Sequence, residues 1–352
     1  MSDQDAVAVE ELGGAPERPV MREPDLVSVV SPVFDEEETL RAFHDRVVSA
    51  LAGLDLELVL VDDGSRDATP RILAELAAGD PRIKVVSLSR NFGHQAALTA
   101  GLDNARGDAV VMLDSDLQDP PELIPTMLDH WRRGSDVVFA VRTVRTGETR
   151  LKLATASWFY RLFSRLAQIE LTRNSGDFRL LDRRALDALG AMRERNRFLR
   201  GMTVWVGFTQ TAVSYERDPR PAGETKYTPR KMLRFSLDAI SSFSHVPLQL
   251  ATVMGFIVSA IAFLGIPIAI GLRIAGEFVP GIASVLLAVL LLGGIQLITV
   301  GIIGEYLGRV YDEVKQRPLY VVRDRVNICG PIRDSPAMET HADPADRERA
   351  RT

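Results

Sequence analysis

The chain is poor in cysteine: Cys329 stands alone among 352 residues, which excludes an internal disulfide and a cysteine-rich metal site. Its five histidines are scattered, and none has the spacing of a zinc-ligand set. Neither sign of charge dominates. The 42 Lys and Arg against 47 Asp and Glu leave a net charge of −5, which argues against a nucleic-acid partner. There is no Gly-x-x-x-x-Gly-Lys-Ser/Thr loop, and no Gly-x-Gly-x-x-Gly follows a strand-like run. A P-loop ATPase and a Rossmann dehydrogenase are thereby excluded. The acidic, polar N-terminus has no apolar h-region, so no secretory signal is expected.

Charge is nearly missing from residues 246–303, whereas residues 1–245 read as a soluble protein. Val246–Leu272 exceeds the roughly 20 apolar residues that cross a bilayer. Pro247 sits at its start, where a helix accepts proline, and Pro267 is a break that membrane helices tolerate. A connection around Arg273–Pro280 leads to a second run, Gly281–Ile303, with Gln296 and Thr299 as its polar members. Two such spans in succession argue against a buried hairpin of a soluble core. The connection offers only Arg273 as a base. Arg217, Arg220, Lys226, Arg230, Lys231 and Arg234 precede the spans, and Arg309, Lys315, Arg317 and Arg323 follow them. The positive flanks predict a multi-pass protein of the inner (plasma) membrane with both termini in the cytoplasm.

Before the spans, short apolar runs alternate with helical patterns. Leu26–Ser31, Leu56–Val61, Lys84–Leu88, Ala109–Leu113 and Val137–Ala140 are the expected strands. Their continuous Val, Ile and Leu content suits strands covered on both faces. Glu37–Leu51, Thr69–Ala77 and Gln95–Ala105 are the expected helices, the first opening on acids suited to a helix start. The alternation predicts an α/β fold, a doubly wound and mostly parallel sheet. Trp158, Phe159, Leu162, Phe163 and Leu166 recur at helical spacing, and Met232–His245 is a second amphipathic stretch. Both are read either as packing on the domain or as docking on a membrane surface. The division expected is a disordered tail at 1–24, a catalytic domain at 25–228 and an amphipathic juxtamembrane helix at 229–245. Two transmembrane helices at 246–303 and a cytoplasmic segment and tail at 304–352 complete it.

Ligands in such sheets bind at the carboxyl ends of the strands, where polar motifs fall. Pro32-Val33-Phe34-Asp35-Glu36 follows the first strand and Asp62-Asp63-Gly64-Ser65 the second. Asp114-Ser115-Asp116-Leu117-Gln118-Asp119-Pro120-Pro121 follows the fourth, and Gly176-Asp177-Phe178-Arg179 lies further along. Two carboxylates one residue apart at a strand end can hold a hard cation with positions left for water and phosphate oxygens. Such a cation neutralises a departing diphosphate. An Asp-x-Asp alone carries no weight, because Asp3 and Asp5 form another in the tail. Asp-Gly is equally a plain turn signal, and Asp114 alone equally a solvated strand end.

Taken together the motifs resemble glycosyltransferase family 2, with the GT-A nucleotide-sugar fold. Within it the chain is similar to the polyprenyl-phosphate glycosyltransferases: the dolichol-phosphate mannose synthase group and, more closely, the bactoprenol glucosyltransferases with two C-terminal spans. Ser89-Arg90-Asn91-Phe92-Gly93-His94, Gly176–Arg183, Arg200-Gly201, Trp205-Val206-Gly207-Phe208 and Ala222–Tyr227 extend the resemblance over about residues 26–320. It implies that Pro32, Phe34 and Glu36, with Asp62 or Asp63, cradle the nucleoside. Family members often have Tyr-Asn where this chain has Phe34-Asp35, so that phenolic hydroxyl is missing. Asp114, Asp116 and Gln118 would gather Mg2+ or Mn2+ and the diphosphate. Arg142 would meet phosphate, its competing reading being an exposed surface arginine. Asp177 would orient sugar and acceptor, since a lipid phosphate is already ionised and needs no strong base. Arg150, Lys152, Arg179, Arg200 and Lys226 would serve the lipid phosphate, with ion pairs to nearby acids as the alternative for Arg179, Arg200 and Lys226.

The reaction implied is a single in-line displacement with inversion: a hexose passes from a nucleotide sugar, UDP-glucose by closest resemblance, to polyprenyl phosphate. GDP-mannose, UDP-galactose and UDP-N-acetylhexosamines are the alternative donors. The partners implied are the nucleotide sugar, the lipid and the membrane, with homo-tetramers as in other family members. A processive polysaccharide synthase is disfavoured, because the chain has no Gln-x-x-Arg-Trp. A non-catalytic membrane scaffold is disfavoured by the intact acids.

Overall fold

The computed structural model describes residues 22–142, 175–215, 246–275 and 281–328. Arg150, Lys152 and Lys226, the stretches around Trp158–Leu166 and Met232–His245, and Cys329 lie outside the described residues.

One eight-stranded sheet of order β7-β5-β6-β4-β1-β2-β3-β8 organises the fold. Its strands are β1 (Val27–Val33), β2 (Leu56–Asp62), β3 (Ile83–Leu88), β4 (Ala109–Met112), β5 (Val137–Arg142), β6 (Ser175–Asp182), β7 (Gln210–Tyr215) and β8 (Val322–Val326). β3, β2, β1 and β4 run parallel to one another, and so do β5 and β7. β6 is antiparallel to both β4 and β5, and β8 is antiparallel to β3.

Helices cover both faces. α1 (Leu40–Ala50), α2 (Thr69–Gly79) and α4 (Ile124–Arg132) bury Phe43, Leu73 and Trp131 against one side. α3 (His94–Asn104), α5 (Arg183–Ala191) and α6 (Leu199–Trp205) bury Leu98, Leu186 and Met202 against the other. The period of two along a strand explains the division: Leu56, Leu58 and Leu60 face the first layer, Val59 and Val61 the second. The five expected strands are therefore present, each within a few residues.

The structure corrects three boundaries. The first helix begins at Leu40 rather than Glu37, because the acids before it serve the loop. Glu36 accepts a hydrogen bond from Thr39 Oγ1 at 2.8 Å, and Glu37 Oε2 accepts one from Ala68 N at 2.8 Å. The expected disordered tail does not extend to residue 24. Arg22 reaches Asp136 Oδ1 at 3.0 Å and Asp182 Oδ2 at 3.2 Å, and lies over the Trp131 ring. Finally, the sheet is not complete within residues 25–228, since the chain returns at Val322–Val326 to add its edge strand.

Two long helices precede that return, α7 (Val246–Ile274) and α8 (Ile282–Val314), and they pack against each other. α8 continues past the expected end at Ile303. Its Glu313 Oε2 accepts from Arg195 N at 3.1 Å, which ties the helix end to the segment between α5 and α6. Among the described residues, one stretch, Leu291–Val314, is long and apolar enough to cross a membrane. None of it is buried within the protein. α7 carries a shorter apolar stretch, Ala251–Gly265, so the described residues hold one candidate span where the sequence suggested two.

Candidate active site

The carboxyl ends of β1, β2 and β4 converge on a cleft of about 330 Å3. Pro32, Phe34 and Glu36 line it from β1, Asp63 from β2, and Asp114 and Asp116 from β4. Asn91, Gly93 and His94, at the entry to α3, close its side. Parallel strands present their backbone ends and following loops on one edge, which is why residues far apart in sequence meet here.

The loops are fixed by cross-links rather than by packing. Asp35 adopts a left-handed conformation, φ 53°, which Asp and Asn tolerate better than other non-glycine residues. Its carboxylate accepts from Arg66 N at 2.8 Å, and its own N–H donates to Ser65 Oγ at 3.1 Å. Glu36 N donates to Thr69 Oγ1 at 3.0 Å. Asp63 receives the amides of Phe92 at 2.7 Å and Gly93 at 2.9 Å. Burial raises its pKa, and these two amides oppose the rise. Asp62 lies behind the lining: it is wholly buried, and Oδ1 accepts from Ser65 N at 2.8 Å. The paired acids thus do different work, Asp63 holding the loop before α3 and Asp62 the turn after β2.

At the β4 end Leu117 is also left-handed, φ 59°, a conformation disfavoured for a branched side chain and common at functional turns. It turns the chain so that Gln118 N donates to Asp116 Oδ1 at 3.1 Å. Gln118 itself is buried and is not among the residues lining the cleft.

His94 joins the acids of two strands, and the sequence reading assigned it no role. Its Nε2 lies 3.3 Å from Asp177 Oδ2 on β6 and 3.6 Å from Asp114 Oδ1. Burial works against the imidazolium. The hydrogen bond to Asp177 and the charges of Asp114 and Asp177 outweigh it and push the pKa up to about 9. Burial raises the Asp177 pKa, but the His94 hydrogen bond and Arg200 outweigh it and hold the acid well below the usual carboxylate range. Arg200 Nη2 donates to Asp177 Oδ1 at 3.2 Å. Asp114 moves the other way, to about 6: burial disfavours its charge, and Asp177, Asp116 and Asp119 add repulsion against the attraction of His94.

The remaining arginines divide. Arg179 is 2 % exposed, donates to Arg200 O at 3.3 Å and to Thr203 Oγ1, and so faces protein partners rather than the cleft. Burial and the neighbouring Arg200 cation push its pKa down to about 9, which leaves it charged at neutral pH. Arg142 donates through Nε to Tyr215 Oη at 3.0 Å and through Nη2 to Asp119 Oδ2 at 3.4 Å. It passes over Gly176, where a Cβ would lie 2.9 Å from Nη2. Its side chain is half-buried and paired with Asp119, unlike the exposed surface arginine of the competing reading.

The donor set at Asp114 and Asp116 suits a hard cation, since it is all oxygen and the crowding of acids disfavours the charge on Asp114. Among the described residues no group of three His, Cys, Asp or Glu side chains can hold a metal. The further ligands of such a cation would be diphosphate oxygens and water, as Mg2+ commonly uses.

An α/β sheet that gathers acids at the carboxyl ends of its parallel strands has the edge at which such folds bind ligands. The sequence profile described as Glycosyl transferase family 2 matches residues 28–190. A Bacillus subtilis (strain 168) protein named uncharacterized glycosyltransferase YkcC is 47 % identical over 86 % of this chain and 94 % of its own length. The bactoprenol glucosyl transferase of Shigella phage SfII is 43 % identical over 84 % of this chain and 97 % of its own. Among solved structures, glucosyl-3-phosphoglycerate synthase from Mycobacterium tuberculosis, with Mn2+, UDP and phosphoglyceric acid, is 22 % identical at a TM-score of 0.46. That match covers 67 % of this chain and 85 % of that one. The chain belongs to glycosyl transferase family 2 and is a glycosyltransferase.

Proposed function

We propose that the protein transfers a hexose from a nucleotide sugar, UDP-glucose first, to polyprenyl phosphate at the cytoplasmic leaflet, with inversion at the anomeric carbon. The observation that carries this reading is the cleft in which Phe34, Glu36, Asp63, Asp114 and Asp116 meet at one edge of the sheet. The likeness to the Shigella phage protein, named for glucosyl transfer to bactoprenol, supports the choice of sugar and acceptor.

In this reading Phe34, Glu36 and Asp63 surround the nucleoside, while Asp114 and Asp116 face the diphosphate. Those two acids would hold a divalent cation, which would supply charge neutralisation for the departing diphosphate. A phosphate oxygen of the lipid attacks the anomeric carbon as the bond from that carbon to the nucleoside diphosphate breaks. The acceptor oxygen carries no proton at neutral pH, so Asp177, ionised and held between His94 and Arg200, orients groups rather than removing a proton. Arg200 is the described cation nearest that acid and would face the acceptor phosphate, with Arg150, Lys152 and Lys226 contributing from segments outside the described residues. Catalysis rests on positioning and on charge stabilisation.

The apolar helices give the reaction its place. Phe256, Phe263 and Leu297 are each exposed by 74 % or more, which suits side chains that face lipid rather than water. With α7 and α8 both inserted, the anchor has two spans, and both ends of the pair return to the leaflet that carries the catalytic unit. Strand β8 supports that topology, because it must rejoin the sheet that precedes the helices.

The test is transfer of labelled sugar by the purified full chain to polyprenyl phosphate in the presence of Mg2+ or Mn2+. A panel of UDP-glucose, UDP-galactose, UDP-N-acetylglucosamine and GDP-mannose identifies the donor. A beta-linked product from an alpha-linked donor is expected. Absence of transfer from every donor by a folded sample overturns the reading.

A further inference from the structure

Where the chain returns from α8 to the catalytic sheet, the ladder is irregular. Arg325 pairs with Val86 and Asp324 with Ser87, but Leu88 pairs with Val322. Arg323 is therefore the extra residue of a bulge, opposite no residue of β3. Bulges re-aim side chains and occur beside active sites. This one lies at the carboxyl end of β3, on the edge where the cleft opens. Beyond it the pairing resumes, with Ser89 N donating to Val321 O at 2.9 Å.

The re-aimed guanidinium finds an acid of the site. Arg323 Nη2 lies 3.8 Å from Asp62 Oδ2, within ion-pair range and beyond hydrogen-bond range. Asp62 is wholly buried, and its Oδ2 receives no hydrogen bond. A buried acceptor left open in this way calls for an explanation. Asp63 differs, since backbone amides occupy both of its oxygens. Of the two acids at the end of β2, Asp62 is the one with an acceptor still to offer.

We propose that Arg323 is a positioning residue of the donor site. Thrown out of the β3–β8 ladder, it braces the buried Asp62 carboxylate from its open Oδ2 side, and through it the turn after β2 that sets Asp63 in the cleft. The inference rests on the sugar-transfer reading above and makes the segment after the apolar helices part of nucleotide recognition. A mere surface arginine on an edge strand would share the 57 % exposure of its side chain, but not the bulge or the buried acid beneath it.

The experiment uses the full chain in detergent, with Arg323→Ala, Arg323→Lys and Asp62→Asn variants. UDP affinity is measured by calorimetry, and KM and kcat are measured separately for donor and acceptor. Arg323→Ala is expected to raise the UDP Kd and the donor KM together by about threefold to fivefold, the scale of one partly exposed ion pair. kcat and the acceptor KM should stay as they are, and Arg323→Lys should recover most of the loss. Adding Arg323→Ala to Asp62→Asn should cost nothing further. An unchanged donor KM in Arg323→Ala overturns the proposal, as does equal damage from Ala and Lys accompanied by a lower Tm. If the wild type binds UDP in an Arg323-dependent way yet transfers no sugar, the functional reading fails and this inference stands. If it transfers sugar with Arg323 irrelevant to UDP, only this inference fails.

Discussion

His94 Nε2 lies 3.3 Å from Asp177 Oδ2, so the first residue of α3 is joined to the acid of an antiparallel strand inserted between β4 and β5. Of the pair, His94 lines the cleft, and Asp114 lies 3.6 Å from the same imidazole. Fixing Asp177 on two sides, by His94 and by Arg200, gives an acid whose direction is set before any substrate arrives. Such preorganisation lets the site orient charge without reorganising during the reaction.

The His94–Asp177 pair should make stability depend on pH in a defined sense. The His94 pKa rises from an ordinary 6.5 to about 9, so its contribution is complete below about 6.5 and is lost as pH climbs through 9. Asp177 is lowered from 3.8, so its contribution is present above that value and disappears only in stronger acid. In EDTA, the Tm gap between wild type and His94→Gln should be widest from about pH 4 to 6.5 and shrink toward pH 9. A gap that widens with pH would remove the ion pair from the account.

Asp116→Asn should leave the fold intact, because an amide oxygen can still accept the Gln118 N–H bond made at 3.1 Å. Transfer should nevertheless fall by about 100-fold or more, as expected when a group that stabilises leaving-group charge is neutralised. EDTA should mimic the variant in the wild type, and added Mg2+ or Mn2+ should restore the wild type alone. Full activity of Asp116→Asn would rule out its part in holding a cation.

The central strands were legible because both faces are covered. Val and Leu fill β1 and β2 without a polar break on either side long enough to hide them. β6 was harder to see, since Asp177 and Arg179 interrupt its apolar residues; the motif was visible, but not that it is a strand. β8, Val-Arg-Asp-Arg-Val, is a charged edge strand separated from its partner by two helices, and no local pattern says that it pairs with β3. Most cleft-lining acids could be placed from strand ends alone. His94 could have been placed by the same logic, since it follows the loop after β3, but a single histidine offers no ligand spacing. Arg179 shares the face of β6 that carries Asp177, two residues earlier, but sequence does not show its depth: it is buried, and it donates to Arg200 O and Thr203 Oγ1.

Away from the cleft, Glu57 holds the amino ends of the parallel strands. It is 2 % exposed, pairs with Lys84, and accepts from Ser28 Oγ and Arg106 N, both at 2.5 Å. Ser28 Oγ in turn accepts from Gly107 N at 2.7 Å. Glu57→Ala strands a largely buried lysine and an amide together, and should cost about 3 kcal/mol or more by chemical denaturation. Donor KM in the folded fraction should not change, because the opposite strand ends carry the cleft. A shift in KM as large as the loss of stability would show that the two ends are coupled.

Gly64 offers the sharpest separation of backbone strain from loss of the site. Its φ is +76°, and a Cβ would lie 2.8 Å from Arg90 C and Asn91 N. Those are backbone atoms of the loop that Asp63 fixes through Phe92 and Gly93, so relief requires the loop itself to move. Gly53 has φ +89° with nothing within 4 Å of a Cβ and serves as the control for strain alone. Gly53→Ala should lower stability by about 1 kcal/mol and leave UDP affinity untouched. Gly64→Ala should lower it by about 1–3 kcal/mol and weaken UDP binding as well, since Asn91 lines the cleft. Calorimetric UDP titration of both variants beside their Tm values decides the matter. Wild-type affinity in Gly64→Ala would mean that the loop after β3 is not part of the donor site.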